Sequence, residues 1–251
     1  MNLDRIIAVR NNKTVFRDGA RVIKVFDSDF TKAEILSEAL NQALVEETGL
    51  HIPGIIEVTS VDGKWAIVSE YIKGKTLAQL MKENPSEKDS YISLMVKLQT
   101  DIFLKTVPTL PKLRDKLHRK ICEAKLDATV RFDLHNRLDA MPKHTELCHG
   151  DFNPSNITIA EDGVPYILDW SHAAAGDAAA DVAQTYFMLL YEGDSGAAEK
   201  YLDLICSQGG MDREYIKRWF PIVAAADSVR GMPEEKEFYY KWATNLKIGE
   251  E

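Results

Sequence analysis

The sequence predicts an α+β protein of two lobes: a small N-terminal antiparallel sheet with one helix, and a larger, mainly helical C-terminal lobe. Three observations carry that expectation. Apolar β-branched runs joined by Asp-Gly turns fill the chain up to Glu70. The apolar period then becomes helical, punctuated by Pro85, Pro108, Pro111 and Pro142. A short β-rich island around residues 149–170 interrupts the helices and gathers acidic and amide side chains.

In order, 6–9 is a short apolar strand, and 14–16 leads through Asp18-Gly19 into Arg21–Phe26. Lys24 lies inside that β-branched run and belongs on a strand. Residues 28–47 carry Ala33, Leu36, Ala39, Leu40, Ala43 and Leu44 at helical spacing, and Gly49 stops the helix. Strands follow at 55–59 and 65–68 around Asp62-Gly63. Glu70 to Gly74 ends the sheet, so the expected lobes are 1–74, with a hinge at 70–74, and 75–251. Helical spacing marks 77–82, 90–103, 113–138 and 178–190, with more helices to the end.

With 251 residues the chain can form one domain or two small lobes, and 45% apolar with 28% charged residues is the balance of a globular protein. A net charge of −8 argues against nucleic acid as a partner. The three cysteines are far apart and lack metal-ligand spacing, which fits a reduced, cytoplasmic setting. The first ten residues hold Asp4, Arg5 and Arg10 and no secretory pattern, and no run approaches the ~20 apolar residues a membrane span needs. A monomer and a homodimer are both compatible with this composition.

The island reads His149-Gly150-Asp151-Phe152-Asn153-Pro154-Ser155-Asn156, then Ile167-Leu168-Asp169-Trp170. Pro154 keeps Asn153 out of helical geometry, so this is a loop. Residues 157–159 and 166–168 flank Asp162-Gly163 as a hairpin whose ends carry Asn156 and Asp169. Phosphoryl transfer from ATP needs such a set. Asp151 is the expected base for an attacking hydroxyl, while Asn156 and Asp169 are expected oxygen ligands for Mg²⁺. Lys24 is the expected clamp on the nucleotide phosphates. Glu38, or Glu34 one turn earlier, would hold it by an ion pair. Each residue alone has a plainer reading as a turn, a helix-face charge or a solvated strand lysine. Their conjunction in this order favours the chemistry.

In that combination the chain resembles the aminoglycoside phosphotransferase and choline kinase-like superfamily, relatives of the protein kinases. His149-Gly150-Asp151 through Asn156, and Leu168-Asp169-Trp170, carry the resemblance, which extends over nearly the whole chain. It implies a bilobal protein-kinase-like fold and transfer of the γ-phosphate of ATP or GTP, with Mg²⁺, to a hydroxyl of a small molecule such as an amino alcohol, sugar or aminoglycoside-like compound. It further implies that Asn11, Asn12 and Lys13 at the first hairpin tip meet phosphate. Glu70, Tyr71 and Ile72 would form a hinge offering backbone groups to adenine. Asp181 would support the catalytic loop and His149 would brace it. Many relatives carry a Leu-His pair where this chain has Leu98-Gln99. The acceptor is expected in the helical lobe, with Asp227, Arg230, Trp219, Tyr239, Tyr240 and Trp242 as candidate walls; the aromatics also read as helix packing. The alternative is a nucleotide-binding pseudokinase acting as a regulatory module. Retention of Lys24, Asp151, Asn156 and Asp169 favours the enzyme.

Overall fold

The computed structural model describes residues 5–10 and 13–245. Strand β2 (Lys13–Asp18) runs antiparallel to both of its neighbours, β1 (Arg5–Arg10) and β3 (Arg21–Phe26). Helix α1 (Lys32–Glu46) starts later than the periodicity suggested. Thr31 and Glu34 form a reciprocal capping box, and this fixes the first turn. Strands β4 (Ile55–Val61) and β5 (Lys64–Glu70) meet at Asp62-Gly63, where both residues have positive φ (50° and 78°), as a tight right-twisted hairpin requires. The sheet order is β1-β2-β3-β5-β4.

Alternation along β3 sorts its side chains. Ile23 and Val25 pack with Ala66 and Val68 on one face. Phe26 packs with Ile35, Ala39 and Ile67 on the face covered by α1. Lys24 shares the period of Phe26 and pairs in register with Ile67, so it emerges on the α1 side.

Next come β6 (Gly74–Thr76), α2 (Leu77–Glu83) and α3 (Lys88–Phe103). The expected single helix 113–138 is two, α4 (Leu113–Glu123) and α5 (Ala128–Ala140). No Gly or Pro marks the break. Instead Ala124 and Leu126 are buried in a connection whose carbonyls accept hydrogen bonds from Arg131 Nη1. These contacts hold the break, and apolar spacing does not reveal it.

The island supplies β7 (Glu146–Cys148), β8 (Ile157–Ala160), β9 (Pro165–Ile167) and β10 (Ala174–Gly176). The expected hairpin gains a third strand, giving the order β6-β8-β9. Gly74 permits this, because a Cβ there would lie 2.0 Å from the Ile159 carbonyl oxygen. Helices α6 (Ala178–Tyr191), α7 (Ser195–Gly209), α8 (Arg213–Asp227) and α9 (Pro233–Thr244) complete the chain.

Two units divide these elements: Met1–Glu83 with Pro154–Ala173, and Asn84–Asn153 with Ala174–Glu251. In the first, α1 packs on the five-stranded sheet and on the turn Trp170–His172. In the second, α6 is apolar on nearly every side and buried from Ala178 to Phe187, with α7 and α8 packed against it. Among the described residues no helix is long and apolar enough to cross a membrane.

Candidate active site

In the first unit Lys24 Nζ stands 2.7 Å from Glu38 Oε1 and 3.3 Å from Asp169 Oδ1. Glu34 is committed to Thr31, so Glu38 is the partner of Lys24. Lys13 opens β2, with Nζ 3.8 Å from Glu38 Oε2 and 5.8 Å from the Phe26 ring centre. Burial alone would raise the Asp169 carboxyl, but Lys24 and then Lys13 outweigh it and hold the group well below the usual carboxylate range. Burial would likewise lower Lys24, yet Asp169 and Glu38 keep it above the usual lysine value.

Asp169 has a left-handed backbone (φ 59°), which Asp tolerates better than most residues. Its setting is rigid. Trp170 is fully buried and donates from Nε1 to the Ile167 carbonyl at 3.1 Å, and Asn41 Nδ2 on α1 donates to the Ser171 carbonyl. The Leu168 amide donates to the Asn156 carbonyl at 2.8 Å, so the hairpin brings the backbone of Asn156 against the residue that precedes Asp169. Among the described residues no three His, Cys, Asp or Glu gather as a metal cage. One ionised carboxylate and one amide oxygen nonetheless suit Mg²⁺, a hard cation that takes only one or two protein carboxylates beside phosphate oxygens.

In the second unit the loop around Asp151 is held at nearly every residue. The buried Asp181 carboxylate accepts the amides of His149 (3.2 Å) and Gly150 (2.7 Å). His149 Nδ1 accepts the Asp151 amide at 3.2 Å, so the ring and the backbone of this histidine both brace the loop. Asn153 Nδ2 donates to the Asp151 carbonyl and Thr185 Oγ1 to the Phe152 carbonyl. Gly150 turns the chain with φ 76°. Gln99 donates to Asp181 (3.1 Å) and Thr185 (3.2 Å) and accepts from Tyr201. Thr185 and Tyr201 carried no local signal in the sequence, and only the fold brings them to Gln99.

The remaining expected residues divide. Asn11 and Asn12 lie outside the described residues. The Glu70 amide donates to the Gly54 carbonyl and that of Tyr71 to the Ala20 carbonyl, so these two donors serve the fold. Any contact of Glu70, Tyr71 or Ile72 with a purine falls to other backbone groups. Trp219 and Tyr239 are buried, and Tyr239 and Trp242 stack edge-on against Phe187 at 5.9 and 5.1 Å, which is core packing and no open cage. Asp227 is closed off by Gln184 Nε2 at 2.9 Å and Arg230 Nη2 at 2.8 Å.

Comparison with known proteins bears on the family and the fold. A profile of the phosphotransferase enzyme family matches residues 5–215. No curated protein matches the chain. Among solved structures, choline kinase LicA from Streptococcus pneumoniae is 18% identical over 98% of this chain and 93% of its own, with a TM-score of 0.65. A thermostable mutant of aminoglycoside phosphotransferase APH(4)-Ia, in a ternary complex with ADP and hygromycin B, is 13% identical over 95% and 89%, with a TM-score of 0.69. ADP-bound aminoglycoside phosphotransferase APH(2'')-Ib is 16% identical over 96% and 93%, with a TM-score of 0.64. The fold is the bilobal kinase-like one of these structures, and with the family profile spanning most of its length the chain belongs to the phosphotransferase enzyme family.

Proposed function

We propose that the protein transfers the γ-phosphate of ATP or GTP to a hydroxyl of a small molecule. The observation that carries this reading is Lys24, fixed between Glu38 at 2.7 Å and Asp169 at 3.3 Å in a chain of this family. The nucleotide contents of the similar structures, ADP in APH(4)-Ia and in APH(2'')-Ib, support the donor. Lys24 binds the α- and β-phosphates as a point charge, and Glu38 orients it. Lys13, with Asn11 and Asn12, adds contacts at the first hairpin. Mg²⁺, when bound, neutralises developing charge on the phosphates; Asn156 and Asp169 would hold it.

Asp151 orients the acceptor hydroxyl and takes its proton late in transfer. The hydroxyl oxygen forms a bond to the γ-phosphorus. The bond from that phosphorus to the β–γ bridging oxygen breaks, and its electron pair leaves on the nucleoside diphosphate. The proton passes through Asp151 to solvent. Asp181 and His149 keep the loop in place and touch no reacting atom.

Release of ADP or GDP in the presence of Mg²⁺ and a panel of hydroxyl compounds tests the reading, together with nucleotide titration of Asp169→Ala. Acceptor-dependent release, and loss of Mg²⁺-nucleotide affinity in the variant, are expected. Full affinity in Asp169→Ala contradicts its role as a metal ligand.

A further inference from the structure

Burial on α1 runs against polarity at one point. The helix leaves Leu36 and Leu40 exposed, at 44% and 58%, and buries Asn41 to 6%. Asn41 is the one polar residue among the four that α1 buries, beside Ile35, Ala39 and Val45. Asparagine is also a poor helix former in mid-helix, because its amide competes with the backbone. Leucine at this position would suit both the helix and an apolar core better. A residue that breaks two local rules at once points to a compensating role.

The contacts of α1 supply one. Glu38 and Asn41 lie three residues apart, hence as neighbours on the helix surface. Glu38 reaches Lys24 at 2.7 Å, and Asn41 Nδ2 donates to the Ser171 carbonyl at 3.3 Å. Ser171 is the centre of the turn Trp170–His172 that follows Asp169, and α1 packs against that turn. Lys24 closes the ring of contacts by meeting Asp169 at 3.3 Å. All of these groups belong to the first unit. Asp169 keeps a left-handed backbone (φ 59°), which a residue other than glycine holds only where its surroundings fix it. Trp170 Nε1 pins the turn to the Ile167 carbonyl, and Asn41 pins it to α1.

We propose that Asn41 is a positioning residue. Its hydrogen bond to Ser171 ties the turn behind Asp169 to the helix that carries Glu38, and so holds the Asp169 carboxylate where it can take Mg²⁺ beside Lys24. This rests on the phosphotransferase reading and extends it to a residue that touches neither nucleotide nor metal. Charge draws Lys24 and Asp169 together in any case, whereas a hydrogen bond has a preferred direction and fixes the angle of approach. Without Asn41 the carboxylate still meets Lys24 but is free to turn away from the metal.

The test needs no phosphate acceptor. Calorimetric titration of ATP, with excess Mg²⁺ and again with EDTA, compares wild type, Asn41→Leu, Asn41→Ala and Thr31→Ala. Leucine nearly keeps the size of the side chain and removes the donor; alanine keeps the test sound if the leucine variant fails to fold. Both Asn41 variants should bind Mg²⁺-ATP about tenfold more weakly, with affinity for metal-free ATP within about threefold of wild type. Thr31→Ala loosens the same helix at its cap and should leave both affinities within about threefold, which separates positioning from a general loss of structure.

Hydrogen exchange in the ligand-free protein gives a readout independent of the nucleotide. The amides of 169–172 should exchange at least about tenfold faster in the Asn41 variants, and at the wild-type rate in Thr31→Ala. Wild-type Mg²⁺ dependence in the Asn41 variants, unchanged exchange at 169–172, or an equal effect in Thr31→Ala overturns the proposal. A wild-type protein that binds no Mg²⁺-ATP counts against the phosphotransferase reading, and the exchange rates alone then decide whether Asn41 holds the turn.

Discussion

Lys24 departs from what a half-exposed strand ordinarily does with a lysine. Its neighbours Ile23 and Val25 take one face, which turns it toward α1, where Glu38 waits. The sequence showed the strand and both glutamates but could not choose between them, because each lies on the helix at a plausible reach. The capping box made the choice by occupying Glu34. Lys24→Ala should therefore raise the nucleotide KM by about tenfold or more, and wild-type steady-state kinetics in that variant would return the residue to the surface. A pH experiment probes the same pair. The Asp169 carboxyl is depressed, so its stabilisation is complete above the ordinary value of 3.8 and is lost as pH falls from there toward the folded value. Lys24 is raised, so its share is complete below 10.5 and is lost as pH rises beyond that. The two statements describe one ion pair and count once. Asp169→Asn should be less stable than wild type near neutrality, and denaturant titrations should show the gap closing below about pH 3.8. A gap independent of pH would mean the pair stabilises nothing.

At the scale of elements, the order of strands and the long helices were legible because each buries one face and so prints its period on the sequence. What stayed hidden came from contacts that apolar spacing does not record. The break between α4 and α5 depends on Arg131 and on burial of Leu126, and β6 exists because Gly74 lets its chain approach Ile159. The Asp151 loop was visible as a motif, whereas the Gln99, Thr185 and Tyr201 network under it was not, since its members come from separate helices. Thr31→Ala should cost about 1 kcal/mol by loss of the α1 cap, read from chemical denaturation. Asp181→Ala orphans two loop amides and should cost at least about 2 kcal/mol. Because Asp181 acts through the loop, kcat should fall while the nucleotide KM changes little. A stable variant with unaltered kcat would show that the loop needs no such support.

For the molecule as a whole, the family and the two-lobed fold could be read from two short motifs and a change of period, and the phosphotransferase profile agrees. The acceptor class could not. Of the aromatic residues that suggested a cage for a cation, Tyr239 and Trp242 belong instead to the packing of α6, α8 and α9. The central claim is that a carboxylate on a braced loop activates a hydroxyl for phosphoryl transfer. Side-by-side measurement of acceptor-dependent ADP release and Mg²⁺-ATP affinity in wild type and Asp151→Asn tests it most directly. The account predicts turnover lower by about 10²–10⁴-fold with affinity held within about threefold. Unchanged turnover in Asp151→Asn would contradict it.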